Sequence, residues 1–157
     1  MIFLPTCAAI LSLLGGSILH LNNPVDAVVQ SISYSEEALQ YENRWDITLT
    51  EEEIDTLAKI VYLEAGNQND VGQQLVVVVI FNRMKDGRFG DGLTGVLSAK
   101  GQFSTWKNRN SAKPTEKEYE NILAVLHSET EDWVGNTQYL YFNSLGNGTK
   151  IGGHYFH

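Results

Sequence analysis

The sequence predicts a small α+β domain in which helices come first and a short antiparallel β-hairpin or sheet comes last. Two observations carry this. Between residues 50 and 128, capping signals open three stretches, two of helical length closed by glycine and a third with one apolar face. From Thr137 the chain turns to aromatic-rich segments around Gly146-Asn147-Gly148, the pattern of strands about a turn. Helices and strands segregated in this way make an α+β fold.

The N-terminal residues stand apart from that domain. Met1 to Leu21 contains no Asp, Glu, Lys or Arg and includes the apolar run Ala8 to Leu14. Pro5 and Gly15-Gly16 interrupt it, and Val25-Asp26-Ala27 places small residues where a signal peptidase reads, so residues 1–27 are expected to be a signal peptide or an N-terminal anchor, with Val28 as the mature start. Cys7, the one cysteine, lies inside this segment as a small apolar residue, which leaves the mature chain without a thiol. Residues 28–49 are expected to be an acidic linker, carrying Glu36, Glu37, Glu42 and Asp46 without a sustained apolar period.

The domain proper is expected over residues 50–157. Thr50-Glu51-Glu52-Glu53 has the form of a capping box and opens a helix from Glu51 to about Ala65, ended by Gly66-Asn67. Asp70, with Gln73 three residues on, is expected to cap a second helix, Val71 to Lys85, closed by Asp86-Gly87. Its run Val76 to Phe81 is β-branched, yet its length and cap favour a helix buried nearly all round. Five glycines between Gly87 and Gly101 indicate a loop with a short turn around Leu93 to Ser98. Pro114 and Thr115 introduce a helix to Ser128, with Tyr119, Ile122, Leu123 and Leu126 on one face. Thr137–Asn143 and Ile151–Phe156 are the expected strands of the hairpin.

Composition bounds the function. At 157 residues, 43% hydrophobic and 19% charged, the chain fits one ordinary globular domain. Its net charge of −8 divides equally between residues 1–50 and 51–157. An acidic domain is repelled by nucleic acid and by anionic lipid, so neither is expected as a partner, and an uncharged or mixed-charge substrate is. No cofactor and no integral membrane domain beyond the N-terminal segment are expected, and the chain is expected to be a monomer.

The candidate acid is Glu64. Leu57, Ile60 and Val61 precede it by seven, four and three residues and share its helix face, so a carboxyl group points along an apolar stripe. Apolar neighbours and the negative end of the helix dipole both favour the form that keeps its proton. A protonated carboxyl suits cleavage of a glycosidic bond, whose departing sugar oxygen must take a proton. The alternative is a solvated carboxylate, or one paired with Arg83.

Tyr62-Leu63-Glu64-Ala65, Gly72-Gln73 leading to Phe81-Asn82-Arg83, Gly101-Gln102-Phe103-Ser104, the aromatic strand ending in Asn143, and Gly152-Gly153-His154-Tyr155-Phe156 occur in an order that resembles the spore-cortex-lytic cell wall hydrolases of the SleB/CwlJ type. The resemblance spans roughly Leu57 to His157. It implies a lysozyme-like catalytic domain that cuts peptidoglycan glycan strands, in spore germination in the family's named type, as a lytic transglycosylase with Glu64 as its one catalytic carboxyl. Members often carry Arg or another charged residue soon after the Glu-Ala pair, where this chain has Gly66-Asn67. Substrate contacts are then expected from Gln102, Phe103, Ser104, Tyr141, Asn143 and His154, by amide and hydroxyl bonds to sugars and by aromatic faces. Tyr139, Tyr141 and Asn143 would share one strand face. His154 also reads as a hydrogen-bonded structural histidine, and with His157 it makes a poor metal pair, so no metal is expected.

Three other readings stay open from sequence. A hydrolytic glycosidase of the inverting kind would need a second carboxylate roughly 6.5 to 9.5 Å away, for which Asp70, Asp86 and Asp91 are the candidates. A zinc amidase or peptidase would draw on His127, His154 or His157. A wall-binding module would keep the fold without the reaction.

Overall fold

The computed structural model describes residues 45–157. The expected signal segment, Cys7 and the linker up to Arg44 lie outside the described residues.

Thr50 opens α1 (Glu51–Ala65) with the predicted capping box. The Thr50 hydroxyl accepts from the Glu53 amide at 3.3 Å, and the Thr50 amide donates to the Glu53 carboxylate at 2.9 Å, a cap of about 1 kcal/mol. The inner face of α1 buries Ile54, Leu57, Ala58, Ile60 and Val61.

α2 (Asp70–Asp86) is the central helix, and its run from Leu75 to Phe81 has no exposed surface. Its start differs from expectation by one residue. Asn69, not Asp70, is the cap, its side chain accepting from the Gly72 amide at 2.9 Å. Gln73, expected as the capping partner, is wholly buried instead. Its amide nitrogen donates to Ala65 O at 3.2 Å and to the Glu118 carboxylate at 2.8 Å, and its oxygen accepts from Asn121 at 3.0 Å. The last turn of α1 is thus tied to α2 and to the helix that carries Glu118 and Asn121 by a satisfied polar network.

Around α2 pack α1, α3 (Gly92–Ser98), α4 (Glu116–Leu126) and the one-turn α5 (Asp132–Gly135). The Thr115 amide and hydroxyl both donate to Glu118 at 2.8 Å at the start of α4. α4 stops at Leu126, short of the expected Ser128, because Ser128 sits at φ +60, outside helical space. Between α3 and α4 a 3₁₀ helix (Ser104–Ser111) that the sequence did not announce lies across α1.

The strands are shorter and paired differently than predicted. β1 (Phe142–Asn143), β2 (Thr149–Ile151) and β3 (His154–Phe156) form one antiparallel sheet in the order β1-β3-β2. Phe142 faces Phe156, and Ile151 faces His154 across a two-residue turn, Gly152-Gly153. Gly152 takes the positive φ, +60, that such a turn requires at its first position. The tight hairpin is therefore β2–β3, while Gly146-Asn147-Gly148 belongs to the wider connection from β1. Residues 137–140 form no regular strand, because side chains of α2 take up their carbonyls: Asn82 donates to Thr137 O and Tyr139 O at 3.0 Å, and Arg83 to Leu140 O at 2.7 Å. Tyr139 consequently packs on the core against Phe156, away from Tyr141 and Asn143, which both lie against His157.

Packing also begins before Thr50. Trp45 is 4% exposed, donates to Val125 O at 2.9 Å and meets Phe81 edge-on at 5.4 Å; Ile47 is buried beside it. The end of the expected linker is part of the core.

Candidate active site

Glu64 stands in the last turn of α1, half-buried above the apolar residues that share its face. The hydroxyl of Thr105, in the first turn of the 3₁₀ helix, donates to Glu64 Oε1 at 2.5 Å. Gly66 ends the helix next door, with its amide bonded to Tyr62 O at 3.0 Å, so the carboxyl projects where the backbone turns away.

Two further polar groups lie within electrostatic reach of this carboxyl. Arg83, 4% exposed, lies among the rings of Phe89, Phe103 and Tyr141, with its guanidinium carbon 5.1, 5.2 and 5.5 Å from their centres. Its Nε is spent on Leu140 O, and its Nη1 is sealed from solvent with no hydrogen-bond partner among the described residues. Burial lowers the Arg83 pKa, and the charges of Tyr141 and Glu64 oppose that. Glu64 and Arg83 therefore influence one another electrostatically without forming an ion pair. His154, half-buried on β3 against Phe142 and Phe156, has its Nδ1 likewise sealed and unpartnered among the described residues. Burial holds its pKa below the ordinary histidine value, with Glu64 pulling the other way.

The other predicted contact residues divide. Gln102 is half-buried in the loop leading to the 3₁₀ helix, and Ser104 is exposed at its start. Tyr141 is 43% exposed and stacks on His157, with centroids 5.3 Å apart and planes 17° from parallel. Phe103 is not a surface platform: it is 4% exposed and supports Arg83 and Phe142 from below. Asn143 turns into its own loop, accepting from the Leu145 amide at 2.7 Å and donating to Asn147 O at 3.4 Å. Thr105 escaped the sequence reading, since nothing in Gln102-Phe103-Ser104-Thr105 distinguishes which hydroxyl meets Glu64 until the 3₁₀ turn is known.

The β2–β3 turn closes over the α1–α2 connection. Gln68 Oε1 accepts from the Gly153 amide at 2.7 Å, and a Cβ on Gly152 would lie 2.5 Å from that same oxygen. The glycines next to His154 are thus accounted for by the approach of Gln68. Among the described residues no three His, Cys, Asp or Glu side chains are grouped as metal ligands. No helix of the described residues is long and apolar enough to cross a membrane. A cavity of about 550 Å³, lined by Trp45, Asn82, Lys85 and Leu140 among others, contains none of these residues; the Thr105–Glu64 bond and the electrostatic reach of Arg83 and His154 mark Glu64 as the candidate site.

By class this is an α+β domain with a candidate acid site where its helices meet its sheet. Residues 67–157 match the model of the Cell Wall Hydrolase family. The match covers more than half of the chain, and the chain belongs to that family, whose role at the cell wall is peptidoglycan-lytic. The matched span begins three residues after Glu64. No curated protein and no solved structure matches the chain at a significant level.

Proposed function

We propose that this protein is an exported, monomeric lytic transglycosylase of the SleB/CwlJ type that cuts peptidoglycan strands at the muramyl–glucosaminyl bond, with Glu64 as acid and then base. The observation that carries the reading is the setting of Glu64: a carboxyl over an apolar face, bonded to the Thr105 hydroxyl and within electrostatic reach of Arg83 and His154. Two of the candidates for a second carboxylate are already engaged. Asp70 meets Asn121 at 3.3 Å and Lys117 at 3.5 Å, and Asp86 holds Arg88 through both oxygens, at 2.5 and 2.7 Å.

In the proposed reaction the Glu64 carboxyl gives its proton to the glycosidic oxygen, and the bond from the muramyl anomeric carbon to that oxygen breaks. The resulting carboxylate takes the proton of the muramyl 6-hydroxyl as that oxygen bonds to the anomeric carbon. The products are an anhydro-muramyl end and a free glucosaminyl hydroxyl, with Glu64 protonated again. Arg83 balances the negative charge that Glu64 carries between the two transfers. Tyr141, Gln102 and Ser104 offer an aromatic face and polar groups to the sugars. The apolar residues 1–21 serve export.

Cleavage in ¹⁸O-water tests the reaction type. A transglycosylase leaves the new muramyl ends without ¹⁸O; one ¹⁸O per new reducing end means that water attacks and a hydrolase is at work.

A further inference from the structure

The charge of the molecule is unevenly placed. Between Asp91 and Glu116 there is no Asp or Glu, and four of the chain's eleven Lys/Arg fall there: Lys100, Lys107, Arg109 and Lys113. The remaining sequence holds all nineteen acids against seven bases. A positive strip on an otherwise negative protein is where an anionic polymer can approach, because the rest of the surface repels it.

The fold places that strip at the candidate site. It runs through the 3₁₀ helix whose Thr105 hydroxyl meets Glu64, and Lys107 is two residues further on. Lys100, Lys107 and Lys113 are exposed. Arg109 is set in place, stacked 3.9 Å over Trp106 and donating to Trp106 O at 2.9 Å. Lys59, Arg88 and Lys117 each pair with an aspartate, whereas none of the strip's four cations is ion-paired with a carboxylate among the described residues.

We propose that residues 100–113 form a cationic rim that binds the carboxylates of the stem peptides carried by the strand being cut. This rests on the glycan-cleaving reading above, since it is the muramyl residues flanking the scissile bond that bear those peptides. The rim holds the peptide to one side while the glycan passes Glu64, and it gives an acidic enzyme an attractive route to an acidic wall.

The test compares glycan strands that keep their stem peptides with strands stripped of them by an amidase, both freed of wall phosphate polymers. The wild-type protein and Lys107→Gln/Lys113→Gln are assayed at low salt and at about 0.3 M salt, where surface charges are screened within a few ångströms. The expected result is a preference for peptide-bearing strands of about tenfold in kcat/KM, expressed in KM, that falls toward one with salt and in the double variant. Equal or better cleavage of bare strands by the wild type, or a variant that loses both activities in proportion, overturns the rim. A third arm retains the phosphate polymers; a preference that emerges only there also overturns it. Binding of the same strands to Glu64→Gln is measured in parallel. If nothing is cleaved in any arm, the glycan-cleaving reading fails, while the salt-sensitive binding difference still decides the rim.

Discussion

The hydroxyl of Thr105 donates to Glu64 Oε1 across 41 residues of sequence, and this one bond joins the last turn of α1 to the 3₁₀ helix lying over it. It fixes the direction of the carboxyl and occupies one of its oxygens, leaving the other for a substrate. Thr105→Val keeps the shape and removes the donor. A hydrogen bond to a group that ionises during the cycle is worth about 1.5–3 kcal/mol, so kcat should fall roughly 10- to 100-fold. Initial rates of fragment release measure this, with the melting temperature as control; an unchanged kcat would show that the bond does not position Glu64.

Gln73 has no exposed surface and bridges Ala65 O, Glu118 and Asn121. Gln73→Leu leaves three buried polar groups short of a partner and should cost about 2–4 kcal/mol in urea unfolding. A loss below 0.5 kcal/mol, on the order of a surface substitution, would mean that water fills the gap.

Trp45 and Ile47 extend the core to the N-terminal side of Thr50. A fragment beginning at Thr50 loses the buried Trp45 ring and its bond to Val125 O. It should be less stable than a fragment beginning at Arg44 by about 3–5 kcal/mol, the cost of deleting a buried tryptophan side chain. Equal unfolding midpoints for the two fragments would contradict the packing described.

His154 makes stability depend on pH in one direction. Its folded pKa lies below the ordinary 6.5 because burial disfavours the imidazolium, so below pH 6.5 the unfolded chain binds the proton more readily. Its contribution is complete above pH 6.5 and is lost as pH falls through the depressed folded value. Melting temperatures between pH 7.5 and 5 should therefore decline more steeply in the wild type than in His154→Gln; parallel curves would assign the decline to other groups.

The sequence made the helices legible because their signals are local. Thr50, Glu53, Gly87 and Thr115 act within one turn of themselves, and the burial of α2 follows from its unbroken apolar run. The sheet was legible in kind but not in register. Aromatic alternation suggested a long strand through Thr137–Asn143, but Asn82 and Arg83, more than fifty residues away, take the carbonyls that a ladder would have used. Glu64 stood out by its helix face. Thr105 and the cage around Arg83 did not, because each depends on a contact between distant segments. Phe103 and Asn143 carried the right chemistry for sugars, but their side chains serve the core and a loop.

The most direct test of the central claim is mass spectrometry of the soluble fragments released from purified peptidoglycan by residues 28–157, beside the same chain carrying Glu64→Gln. The account predicts fragments with anhydro-muramyl ends that disappear with the substitution. Reducing glycan ends, free stem peptides, or fragments that persist in Glu64→Gln would contradict it.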